Sequence, residues 1–209
     1  MHGQISNRSL FTIGHSDHDM SEFLSLLSRH GISAIADVRS HPYSRFHPQF
    51  NRETLSESLR LSRIEYVFLG RQLGARRTEP ESYSMGKARY DLIGRLPAFR
   101  EGLERIRRGI AENRIALLCA EKDPITCHRM VLVCRHLRAD AIDIRHILER
   151  GEIETSEQAE SRLLRACGLP EEHLFRTHAE LLEEAYDLQS ERIAYTEAEP
   201  VPDEHGVTA

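Results

Sequence analysis

The 209-residue chain carries 28 Lys plus Arg against 33 Asp plus Glu, a net charge of −5, and 40% of its residues are hydrophobic, enough for one substantial core and a small appendage but no second enzyme domain. No apolar run is long enough to span a bilayer and the first ten residues lack the apolar stretch of a secretion signal, so a cytoplasmic protein with no membrane partner is expected. Four cysteines, at 119, 127, 134 and 167, have neither the density nor the pattern of a secreted disulfide scaffold.

Along the chain, Phe11-Thr12-Ile13 is a β-branched and aromatic run ended by Gly14-His15-Ser16, which predicts a first strand and a turn. Phe23, Leu24, Leu26 and Leu27 then follow helical spacing from about Asp19, and Gly31 stands where a helix-ending glycine belongs. Residues 32–38 predict strand two. Residues 39–50 hold two prolines among His, Arg and aromatic residues, the composition of a functional loop. A helix over 52–61 and a strand over 66–69 follow, and then a polar, glycine-containing segment, 71–96, expected to be mobile, with Leu73-Gly74 and Arg76-Arg77 suggesting backbone close to a ligand. Pro97 starts a helix that presents Phe99, Leu103, Ile106 and Ile110 to a core, and residues 115–119 predict strand four. Asp123-Pro124 has the form of an N-cap and first helical residue. Residues 142–148 predict strand five, and 156–167 and 177–193 two further helices.

Strands alternating with helices predict an α/β fold: a parallel-rich sheet of about five strands with helices on both faces, a Rossmann-like three-layer sandwich. The expected organisation is a core domain over 1–150, a helical extension over 151–195 and an acidic disordered tail over 196–209. Residues 1–148 hold 23 basic against 17 acidic side chains, whereas 149–209 hold 5 against 16, so the body is basic and the end of the chain acidic. A basic body suits an anionic small molecule or nucleic acid without selecting one.

In such a sheet ligands bind beyond the carboxyl ends of the strands. That rule collects Gly14, His15 and Ser16 after strand one, Asp37 and Arg39 at strand two, Gly70 after strand three, and Cys119 and Glu121 after strand four. The segment from Cys119 through Glu121 and Asp123 to Cys127-His128-Arg129 brings a nucleophile, a proton-transfer group and a cation to a helix start, where free N–H groups favour anions and lower thiol pKa values. Cys127 fits a packing role equally, because Cys127, Met130, Cys134 and Leu137 form one helical stripe. No dinucleotide or Walker-type glycine loop occurs, and the Cys119 to Cys127 spacing fits neither a Cys-x-x-Cys redox pair nor a standard zinc pattern. No cofactor or metal is therefore expected, although Cys119, Cys127, His128 and His15 could assemble a metal site from separate loops.

Thr12-Ile13-Gly14-His15-Ser16, Asp37-Val38-Arg39 with Pro42 and Ser44, Tyr66 with Leu69-Gly70 and Leu73-Gly74, and Leu117-Leu118-Cys119-Ala120-Glu121 with Cys127-His128-Arg129 and His146-Ile147 resemble domain-of-unknown-function family 488 over residues 10–148. The resemblance implies the α/β domain and a site built from these motifs, and carries no particular reaction. The expected function is an enzyme, a hydrolase or transferase, acting on a phosphate-bearing substrate, a nucleotide or nucleic acid, through a strand-end pocket with His, Asp/Glu, Cys and Arg. His15, Asp37, Glu121, Cys127 and His128 are its candidate catalytic residues, and Gly14, Ser16, Arg39, Ser44 and Arg129 its candidate substrate-binding residues, with Arg39 and Arg129 as anion clamps. A noncatalytic nucleic-acid-binding module and a thiol-based transferase, redox or metal-binding protein are the alternatives.

Overall fold

Five segments pair in parallel; the central ones, Ser9–Gly14, Ala34–Asp37 and Ile115–Cys119, are buried on both sides and so need helices on both faces, whereas Glu65–Phe68 lies at an edge and is partly exposed. A computed structural model describes residues 9–140 and 142–197. In it β1 (Ser9–Gly14), β2 (Ala34–Asp37), β3 (Glu65–Phe68), β6 (Ile115–Cys119) and β7 (Asp143–Ile147) run parallel, and β8 (Ile153–Thr155) adds an antiparallel edge beside β7. The order is β3-β2-β6-β1-β7-β8. The sheet thus has six strands, the additional one being a three-residue edge strand whose single apolar residue, Ile153, offers no periodic signal.

Helices cover both faces. Helix α1 (Met20–Arg29) is capped by Asp19, whose carboxylate accepts the Glu22 N–H at 2.7 Å, and it buries Phe23, Leu26 and Leu27. With Leu55 and Leu59 of α2 (Arg52–Leu61) these residues pack on Phe11, Ile13, Ile35, Ala116 and Leu118 of one sheet face. The opposite face, through Leu10, Ala36, Leu117 and Ile144, meets α5 (Pro97–Gly109), α7 (Ser156–Ala166) and α8 (His178–Ile193). Every residue of β6 is buried, so each of its Leu and Ile side chains contributes roughly 1.5–3 kcal/mol on transfer from water.

Residues 71–96, expected to be mobile, fold into the rest of α3 (Gly70–Leu73), a two-stranded hairpin of β4 (Tyr83–Ser84) and β5 (Lys87–Ala88), and α4 (Tyr90–Ile93). Arg77 holds the segment together, donating to Glu79 at 2.5 Å and to the Arg71 and Gln72 carbonyls. The first two residues of the segment expected to be disordered are placed: Thr196 bridges Lys87, and the Glu197 N–H donates to the Gly86 carbonyl at 2.8 Å. Residues 198–209 lie outside those described.

The expected helix at Asp123 is corrected in its geometry. Pro124–Thr126 forms a 3-10 turn, Cys127 is extended (φ −128°, ψ 140°), and a wide π-helical turn over Arg129–Cys134 leads into α6 (Arg135–Leu137). All six residues of the π turn are buried, so the expected stripe is replaced by a segment enclosed on all sides between the sheet and α8.

A buried polar chain crosses this core. Arg129 Nε donates to Thr12 Oγ1 at 3.3 Å, and the same hydroxyl pairs with His146 Nδ1 at 2.8 Å. Burial, reinforced by the charges of Arg129 and Arg162, lowers His146 to about 3. The unfolded chain therefore binds a proton below pH 6.5 that the native state refuses until about pH 3, so stability falls with pH by about 1.4 kcal/mol per unit in that window. We expect His146→Asn, which keeps a polar partner for Thr12, to flatten the dependence by about half a proton at pH 6.5 and close to one at pH 5; equal slopes in urea titrations of the two proteins would show that His146 is protonated in the fold.

Candidate functional site

The site forms where adjacent strands send their connections in opposite directions. From β1 the chain leaves through α1 toward β2, and from β6 it leaves through the π turn on the other face toward β7. Since β1 and β6 are neighbours, with Gly14 opposite Cys119, a crevice opens between their carboxyl ends. Gly14 is required there because a Cβ would overlap the Glu121 carbonyl.

The crevice is a cleft of about 600 Å³ whose lining includes His15, Arg39, Ser44, Cys119, Glu121 and His128 among the expected residues, and Ser40, His41, Tyr43, His47, Arg76, Tyr90 and Tyr195 besides. At its floor Glu121 Oε2 accepts from both thiols, Cys119 Sγ at 2.9 Å and Cys127 Sγ at 3.0 Å. His128 Nδ1 lies 3.5 Å from Cys119 Sγ and 3.9 Å from Cys127 Sγ, while its Nε2 lies 3.0 Å from the Val38 carbonyl. A carbonyl only accepts, so Nε2 carries the proton there. Cys127 caps the following helix: its carbonyl accepts the Val131 N–H and its sulfur faces the Arg129 N–H at 3.4 Å.

Electrostatics differentiate these groups. Burial raises the Glu121 carboxyl, but the two thiol hydrogen bonds outweigh it and leave the group at about 2, an anion at any ordinary pH. Burial pushes both thiols up. For Cys127 the hydrogen bond with Cys119, the Arg129 charge and His128 more than reverse that, whereas Cys119 stays well above the usual thiol range, so Cys127 ionises first.

The walls are basic. Burial, with Arg39 adding to it, lowers His15 to about 4, so its ring is neutral; Nδ1 donates to the Ser16 carbonyl at 2.9 Å and the ring stacks on Phe50 at 4.4 Å. Arg39 is held as a planar fork on Asp37, Nε at 2.9 Å and Nη2 at 2.7 Å, and Tyr66 donates to the same carboxylate at 2.8 Å. Asp37 is fully buried beneath Arg39, which makes it a positioning residue. The Arg76 guanidinium lies over the Tyr195 ring at 4.7 Å.

Besides Asp37, four of the candidate catalytic and substrate-binding residues stand apart from the cleft lining. Gly14 acts through its lack of a side chain, and Ser16, at φ 49°, spends its hydroxyl on Asp17. Cys127 lies just behind Cys119. Arg129, expected as an anion clamp, is instead fully buried: its guanidinium donates to the carbonyls of Glu121 and of Lys122, the latter at 2.9 Å, and to Thr12. It braces the loop that presents Glu121. Sequence reasoning did not commit to His41, His47, Arg76 or Tyr195; the first two belong to the His-rich loop and Arg76 to a marked basic pair, but Tyr195 reaches the cleft only through pairing of the C-terminal segment with β5.

A groove of about 700 Å³ between α4 and α8 shares Tyr90 with the cleft but carries Asp91, Glu180, Glu183, Glu184, Asp187 and Glu191, the wrong charge for an anion. Among the described residues no helix is long and apolar enough to cross a membrane.

This doubly wound α/β protein places a thiol, carboxylate and imidazole cluster at its topological switch point. Residues 19–135 match the family described as "Domain of unknown function DUF488", and the chain belongs to that family. The match begins after His15 and ends before β7, so β1 supplies the site from outside it. No curated protein and no solved structure matches the chain.

Proposed function

We propose that the protein is an enzyme, a hydrolase or transferase, that acts on a phosphate-bearing small molecule or nucleotide held in the switch-point cleft. One observation supports this above all: the guanidinium groups of Arg39 and Arg76, with the rings of His15, His41, His47 and His128, surround the cleft, and among the described residues Glu121 is the one carboxylate in its lining. Such a wall attracts an anion. Arg39, fixed by Asp37, offers Nη1, and Arg76, stacked on Tyr195, offers its whole fork, which matches the paired oxygens of a phosphate. The neutral His15 ring accepts a proton, and the Cys119–Glu121–Cys127–His128 floor faces the bound group as the reactive end of the site. A module for nucleic-acid binding alone would not need this floor.

Calorimetry against inorganic phosphate, nucleoside monophosphates and diphosphates and a short oligonucleotide tests the proposal. We expect Arg76→Ala to weaken the binding found by about 1.5–3 kcal/mol, the worth of a charge-assisted hydrogen bond, and Arg108→Ala, on the exposed face of α5, to leave it unchanged. Equal affinities of the two variants, or no binding across the panel, would end the reading. Binding of the oligonucleotide alone, steeply dependent on salt, would favour the binding module.

A further inference from the structure

We infer that Cys119, Glu121, Cys127 and His128 form a binding site for one thiophilic divalent cation, Zn²⁺ in the first place. Sγ of each cysteine, a carboxylate oxygen and Nδ1 all lie within 4.8 Å of one another, supplied by the end of β6 and by the turn that opens the following helix. Zinc bonds of about 2.3 Å to sulfur and 2.0–2.1 Å to nitrogen, at tetrahedral angles, set neighbouring ligand atoms roughly 3.5 Å apart. The sulfur to nitrogen separations of 3.5 and 3.9 Å have that spacing already. The thiol to carboxylate separations of 2.9 and 3.0 Å are shorter, as S–H···O contacts are, and Glu121 sits at the exposed side of the cluster, where it can withdraw.

The second, independent observation is the orientation of His128. Its Nε2 faces the Val38 carbonyl, so Nδ1 is the ring atom turned toward the two sulfurs, and both sulfurs also face Glu121 Oε2. Four potential ligand atoms, two sulfurs, a ring nitrogen and a carboxylate oxygen, therefore converge, an arrangement that a cation satisfies. A backbone carbonyl on the far ring nitrogen is also the usual support of a metal-bound histidine. Two thiolates, one imidazole and one carboxylate select zinc over magnesium or calcium. On binding, two sulfur–metal bonds replace two S–H bonds and both thiol protons leave to solvent, so no oxidant or reductant is involved. Cys119, Glu121 and His128 line the cleft, so the ion is open to a substrate oxygen once Glu121 yields its place. The inference adds a cofactor to the cleft of the proposed enzyme, yet its test reads the metal and not the substrate, so either can fail alone.

The full chain, freed of metal with a chelator under reducing conditions, is titrated with Co²⁺ and then Zn²⁺. The expected result is one equivalent bound, with the intense visible bands of tetrahedral cobalt and sulfur-to-cobalt charge transfer in the near ultraviolet, both removed by one equivalent of zinc. Cys119→Ser and Cys127→Ser should each lose most of the charge-transfer absorption, and Cys134→Ser, a buried thiol outside the cluster, should keep it. Should the first two variants not fold, the wild-type protein still decides: bound zinc should slow alkylation of Cys119 and Cys127 at least tenfold. Weak octahedral cobalt bands, or alkylation indifferent to zinc, would overturn the site and leave a Cys127 thiolate paired with a His128 imidazolium.

Discussion

Arg129→Met should lower stability by about 3–5 kcal/mol, the range for removing one partner from a buried charged network. The side chain is fully buried and braces three acceptors, the Glu121 and Lys122 carbonyls and Thr12 Oγ1, so methionine fills the volume but leaves all three without their charged donor. For a chain of this size that corresponds to a fall in melting temperature of about 10 °C. Arg129→Lys should fare little better, because one ammonium on a flexible stem cannot reproduce three fixed donors. The brace also ties the loop after β6 to β1, so the variant should lose cleft function along with stability. A loss below about 1 kcal/mol in urea unfolding would mean that the loop is held by other contacts, foremost the Asp123–Arg162 pair at 2.7 Å.

A loss of similar size is expected for Asp37→Ala, about 3–5 kcal/mol, for a different reason. Four hydrogen bonds end on this carboxylate: from the Arg39 backbone N–H at 3.0 Å, from Nε and Nη2 of the same residue, and from Tyr66. Without it the Arg39 charge, 6% exposed, has no counterion. Removing that charge as well, in an Asp37→Ala, Arg39→Met double variant, should restore part of the stability, a coupling of more than about 1 kcal/mol. Additive losses in the double-mutant cycle would show that Arg39 reaches solvent and that Asp37 acts only as a local cap. Because Asp37 sets the Arg39 fork, its loss should also weaken anion binding in the cleft.

Local chemistry made much of this legible in the chain. The apolar runs at 11–13 and 115–119 are strands because they are buried on both sides, and Asp19, Gly31 and Pro97 mark helix ends through capping and fixed φ, effects that act within a turn of the residue itself. The alternation of these elements was enough to predict the parallel sheet, the sheet edge at which such folds bind ligands and the strand-end motifs placed along it. What the sequence could not determine was which strands become neighbours. That β6 inserts between β2 and β1 follows from how two apolar faces are jointly covered, and this insertion brings Cys119 beside Gly14. The same limit applies to direction: Cys127, His128 and Arg129 are consecutive, yet the extended residue 127 and the π turn after it send the thiol and imidazole to one cluster and the guanidinium into the core. Periodicity records which residues avoid water, whereas the partner of a buried polar group is chosen by whatever the completed fold sets against it, and for Arg129 that was two carbonyls and not an anion.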